Sequence, residues 1–120
     1  MELSPGDVYW ARPDLAPGGR EQRGRRPVLV VSNDLYLSTA TTLMLVVPLT
    51  TVDRGWDNHV RVDLATLADP TFAMTEQVRA MSRQRLDAPL GRVSPSALQA
   101  VRTWIGDYLA SVLVARRVAD

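Results

Sequence analysis

Apolar positions in this chain come in short runs of two kinds, followed by one long stretch with helical spacing. Asp7-Val8-Tyr9-Trp10-Ala11, aromatic and β-branched after Pro5-Gly6, predicts a first strand. Residues 12–25 hold Pro13, Pro17, Gly18, Gly19 and Gly24 and read as a polar loop, long enough in a small protein to suggest a functional one. Pro27–Ser32 is a continuous apolar run, as expected of a strand covered on both faces, and Asn33-Asp34 closes it with turn chemistry. Thr42–Val47 is a second apolar, β-rich run that should end at Pro48. His59–Asp63 and Gln77–Met81 alternate polar with apolar, the pattern of half-buried strands, and Leu64–Asp69 between them suits a single helical turn.

Ser94-Pro95 is a helix start: serine is a preferred N-cap and proline is favoured at the first helical position. Leu98, Val101, Ile105, Leu109, Val112 and Leu113 then keep helical spacing, with Trp104 and Tyr108 widening the stripe. Arg116 and Arg117 suit the C-terminal end of its dipole. Five or so short strands followed by one long helix make the expected fold mainly β with a C-terminal α-helix, a small barrel or curled sheet with the helix packed on it. With 120 residues and no visible linker or repeat, residues 1–120 are expected to be one domain.

Composition narrows the chemistry. The absence of cysteine excludes disulfides and thiolate metal sites, and a lone His59 leaves no histidine-based zinc site and no two-histidine nuclease. No metal or other cofactor is expected. Net charge is only +1, yet all fourteen basic residues are arginine, and Arg12, Arg20, Arg23, Arg25 and Arg26 crowd into residues 12–26. Arginine stays charged and its fork matches phosphate, so the crowding points to a polyanionic ligand. The N-terminus lacks the basic-then-apolar pattern of a signal peptide, and no run approaches the roughly 18 apolar residues of a membrane span. A cytoplasmic protein without membrane contact is the expectation.

Four segments, in order, resemble the MazF/PemK toxin family: Gly6–Trp10; Glu21-Gln22 and Gly24 followed by Arg26–Ser32; Val47–Thr51; and Glu76–Arg79 with Gln84-Arg85-Leu86. The likeness runs from about residue 6 to about residue 113. Departures are Ala80, where that family often carries Ser or Thr, and Ser82, where it has an acid. The resemblance implies an SH3-like barrel, a two-fold homodimer, cleavage of single-stranded RNA at short sequences without metal, and inhibition by a cognate antitoxin whose tail occupies the RNA groove.

RNA is cut when a 2′-hydroxyl attacks the adjacent phosphate. An enzyme must then help remove the 2′ proton, stabilise the phosphorane charge and assist the leaving 5′-oxygen. Arg26, at the mouth of a strand, can hold two phosphate oxygens at once. Thr50 can donate a hydroxyl to a phosphate oxygen, or spend it on its own turn, and Thr51 can share the task. Glu21, the only carboxylate between Asp14 and Asp34, can take the 2′ proton or orient Arg26. For binding, Trp56 beside Arg54 offers a stacking ring, or else folds back over the barrel. Trp10 is core or groove wall, Gln77 can read a base edge, and Arg25, like Arg20 and Arg23, attracts phosphate. His59, within an alternating strand, is read as structural. Two further readings stay open: a CcdB-like poison of DNA gyrase on the same fold, and a catalytically inactive SH3-like binding module.

Overall fold

The computed structural model describes residues 2–13, 24–40 and 42–110. Seven strands, β1 (Asp7–Ala11), β2 (Arg26–Val30), β3 (Leu43–Thr50), β4 (His59–Val62), β5 (Thr71–Met74), β6 (Arg79–Ser82) and β7 (Leu86–Arg92), accompany two helices, α1 (Asp34–Thr39) and α2 (Pro95–Leu109). The ladder runs β4-β5-β3-β2-β1-β7, with β6 also paired to β3, and every pairing is antiparallel. The mainly β fold with a C-terminal helix is therefore as expected. The barrel is an open one, since β4 and β7 end the ladder without pairing to each other.

Alternation along β2 builds two apolar layers. Leu29 and Val31 join Val8, Val47, Leu49, Val62 and Val101 in one cluster, against which Ala97, Leu98 and Ile105 of α2 pack. Val28 and Val30 face the other way, into a cluster with Ala11, Met44, Val46, Met81, Leu86 and Leu37 of α1. A strand with apolar side chains on both faces is what a continuous apolar run specifies. Helix α2 begins as expected, with the Ser94 side chain accepting from Ala97 N at 3.1 Å and a proline in its first positions. Val112, Leu113, Arg116 and Arg117 lie outside the described residues.

Several local expectations are corrected. Asn33 does not close a turn. It caps α1, accepting from Tyr36 N at 2.8 Å. Leu64–Asp69 forms turns without helix. β3 runs through Pro48 to Thr50, because the sheet changes partner there: Leu43–Val46 pair with β6 and Leu49-Thr50 with β5. The proline's missing N–H falls in the gap between the two partners, where no ladder bond is lost on that side. Two strands had no clear pattern. β5 is four residues long, and β7 (LDAPLGR) carries Pro89 and Gly91 on the edge of the sheet, the place where such residues are tolerated. No helix of the described residues is long and apolar enough to cross a membrane.

Candidate nucleic-acid interface

The partner change at Pro48 makes the sheet fork. β5 and β6 diverge from β3, and the segment joining them, a short 3-10 turn over Thr75–Gln77, bridges the fork. A cleft of about 370 Å³ opens over it, lined by Arg26, Pro48, Thr50, Met74, Gln77, Arg79 and Arg85 among others. None of its described lining residues is acidic. The β2–β3 register places Val28 opposite Pro48; two residues further along, the same register sets Arg26 level with Thr50. On directly opposed positions of an antiparallel pair, the two side chains leave the sheet on one face.

A second cleft of about 410 Å³ lies across the strand ends, with Trp10, Arg25, Thr51 and Asp69 in its lining. Arg26 and Thr50 line both clefts and so form their shared wall. Four arginines are thus distributed over the two clefts, with one carboxylate, Asp69, in the second.

The side chains differ in how far they are committed. Arg26 is exposed, and among the described residues nothing hydrogen-bonds or ion-pairs with its guanidinium. Thr50 accepts from Val52 N at 3.1 Å, a local turn bond of the kind threonine makes at strand ends. That bond uses an oxygen lone pair and leaves the hydroxyl proton to be donated. Arg25 stacks over Trp10, 5.0 Å from the ring centroid, and reaches Asp87 at 3.4 Å. Trp10 is half-buried, a groove wall whose ring also packs on the first apolar cluster.

Trp56 and Arg54 are in neither cleft. The indole and the His59 ring meet edge to face (centroids 4.8 Å, 67°), and Arg54 lies 5.7 Å from the indole centroid. His59 is buried and meets Glu76, in keeping with a structural placement. Glu21, Arg20 and Arg23 lie outside the described residues. Arg79 and Arg85 were not singled out by sequence, although alternation already set 77, 79 and 81 on one face of a strand. Among the described residues no three His, Cys, Asp or Glu side chains gather as metal ligands do.

Comparison with known proteins decides the family. Residues 4–109 match the model of the PemK-like, MazF-like toxin of type II toxin–antitoxin systems. The chain belongs to this family. Among curated relatives, Endoribonuclease MazF9 of Mycobacterium tuberculosis is 38% identical over 93 residues, covering 71% of this chain and 79% of that protein. Endoribonuclease EndoA of Bacillus subtilis is 33% identical over 90 residues, covering 72% of this chain and 76% of that protein. The solved MazE–MazF (Form-II) from Deinococcus radiodurans superposes with a TM-score of 0.77 at 24% identity, over 93% of this chain and 99% of that one. The PemK/MazF fold thus covers the forked sheet, both clefts and α2.

Proposed function

We infer that this chain is an endoribonuclease toxin that cuts single-stranded RNA at short sequences and is neutralised by a cognate antitoxin. The observation that carries the reading is the pairing of Arg26 with Thr50 on the wall between two arginine-lined clefts. Membership of a family whose relatives are named endoribonucleases supports it. A gyrase poison needs no such phosphate-directed pair.

In the reaction the 2′-oxygen attacks its own 3′-phosphorus, the P–O5′ bond breaks, and the products are a 2′,3′-cyclic phosphate and a 5′-hydroxyl. Arg26 holds two non-bridging oxygens as negative charge builds on the phosphorane. Thr50 donates its hydroxyl to one of them, with Thr51 alongside. The 2′ proton leaves to a base and an equivalent proton reaches the 5′-oxygen. Glu21 is assigned to accept the first or to orient Arg26, whose own proton is held too tightly for transfer. Gln77 reads a base edge, Arg25 and Trp10 hold a nucleotide in the second cleft, and Arg54 with Trp56 meet RNA beyond the clefts. The nucleophile is the substrate's own 2′-oxygen, so the step asks for no metal-activated water, and the reaction is read as metal-independent.

The solved MazE–MazF of Deinococcus radiodurans supports an antitoxin partner, whose tail is read as occupying the RNA groove. Leu35 and Tyr36 of α1 and Leu43 and Leu45 of β3 are exposed, and Tyr36 and Leu45 line one groove, apolar positions that a second copy would cover in a homodimer. The 1–120 chain is read as one toxin domain acting in the cytoplasm.

The deciding experiment incubates the purified protein with long single-stranded RNA in EDTA, beside Arg26→Ala, and sequences the cut ends. Discrete cuts by the wild type alone, ending in cyclic phosphate, establish the activity. Intact RNA with well-folded protein overturns it.

A further inference from the structure

The 3-10 turn that bridges the fork carries a relay of side chains leading out of the core and into the first cleft. It begins at His59, whose side chain is 3% exposed. Its Nε2 lies 3.0 Å from both Oε1 and Oε2 of Glu76, while Nδ1 is buried and has no hydrogen-bond partner among the described residues. An ionised carboxylate only accepts, so Nε2 must carry a hydrogen. The next residue, Gln77, brings its amide nitrogen to 3.4 Å from Glu76 Oε2 and 3.5 Å from Met74 Sδ. Both neighbours are acceptors, and both therefore require the NH₂ end of the amide on their side. The carbonyl end is left for the cleft that Gln77 lines with Arg26 and Thr50.

We propose that His59 and Glu76 are positioning residues that fix the amide of Gln77 with its carbonyl oxygen toward the RNA. The cleft then selects, at one position near the cut, adenine or cytosine over uracil. The inference rests on the ribonuclease reading and refines it. Adenine and cytosine offer an amino group on the edge where uracil offers a carbonyl oxygen, and two facing carbonyl oxygens repel. A free glutamine amide turns over and accepts either base; one held from behind by a carboxylate does not. The carboxylate is in turn held by the imidazole, which is why a buried histidine sits behind an exposed base reader.

The test compares base frequencies at each position around the cuts made by wild type, Glu76→Gln and Gln77→Ala on a randomised single-stranded RNA. In Glu76→Gln the His59 Nε2–H still claims an oxygen of residue 76, so the new amide turns its NH₂ toward Gln77. The Gln77 amide then inverts, and the preference for adenine or cytosine over uracil at one position drops about tenfold or reverses. Gln77→Ala removes the preference at that same position. A merely structural role for Glu76 lowers stability and leaves the base frequencies alone, so unchanged frequencies in Glu76→Gln overturn the proposal. A wild type that cuts no RNA instead overturns the nuclease reading, and this inference with it. If Glu76→Gln does not fold, imidazole ¹⁵N spectra of the untagged wild type decide, because the chain has a single histidine. Hydrogen on Nε2 is expected; an imidazole with hydrogen on Nδ1 alone overturns the relay.

Discussion

The phenol oxygen of Tyr108, near the end of α2, lies 2.6 Å from the hydroxyl of Thr75, the residue that opens the 3-10 turn across the sheet's fork. Thr75 Oγ1 is also 2.6 Å from the Asn58 carbonyl, and Asn58 Nδ2 is 2.9 Å from the Tyr108 oxygen. One set of hydrogens satisfies all three contacts: Thr75 donates to the carbonyl, Tyr108 donates to Thr75, and Asn58 donates to Tyr108. Asn58 and Thr75 are fully buried, so the ring closes where water does not compete. It ties the helix to the turn that presents Gln77.

Tyr108→Phe keeps the ring stacking near Trp104 and removes the oxygen at the centre of this network. The lost hydroxyl strands buried polar groups, at a cost of about 1–3 kcal/mol. Urea unfolding should show that loss as a lower midpoint with an unchanged slope. Thr75→Val should cost a similar amount, and the double variant less than the sum of the two, because both disrupt one network. Full additivity in that cycle would contradict the shared ring.

Arg26 and Thr50 make different demands on substitution. Arg26→Lys keeps a positive charge and loses the fork that spans two oxygens, so cleavage should fall on the order of 10²–10³-fold, close to the loss in Arg26→Ala. Arg26 is exposed, so its unfolding free energy should move by no more than about 0.5 kcal/mol. Thr50→Ser retains the donated hydroxyl and should retain most activity; Thr50→Val should not. Single-turnover rates on one cleaved RNA measure all four. A fully active Arg26→Lys would reduce Arg26 to a diffuse charge.

Arg79 is exposed in the first cleft and, like Arg26, has no hydrogen-bond or ion-pair partner among the described residues. It is therefore predicted to meet a phosphate. Arg79→Gln should weaken binding of a non-cleavable 2′-deoxy substrate across all sequences and flatten log K against log salt by about 0.7. A variant with the wild-type slope has lost no phosphate contact.

What was legible in the chain depended on how local the cause was. The α2 start is written in Ser94-Pro95, and β2 in an unbroken apolar run, because each is set by neighbours along the sequence. The extension of β3 through Pro48 was not legible, since what makes the proline harmless is a change of partner between strands 20 or more residues away. β7 was hidden for the same reason: its proline and glycine are tolerated only because the strand is on the edge. Within the candidate site, Arg26, Thr50 and Gln77 were marked by the family pattern, and the structure draws them together. Arg85 was passed over because nothing in Arg83-Gln84-Arg85 shows which arginine reaches the cleft; Arg83 instead holds the carbonyls of Leu37 and Ala40 at the end of α1. Tyr108 belongs to an apolar stripe by its spacing, which cannot show that its hydroxyl meets Thr75 and Asn58.

Tyr9 gives the fold a pH dependence with a clear sign. Burial raises the pKa of its phenol above the ordinary tyrosine value; Asp7 adds to the rise and Arg92 opposes it. The folded state thus holds this proton more tightly than the unfolded chain. Its contribution is fully present below the unfolded value, about 10, and is lost as pH climbs through the raised folded value. The chain contains no lysine, so tyrosines are the side chains that titrate in this range, and the signal is not masked. Urea midpoints measured from pH about 9 to about 11 should fall, and Tyr9→Phe should remove part of the fall. An identical alkaline slope in Tyr9→Phe would rule Tyr9 out as its source.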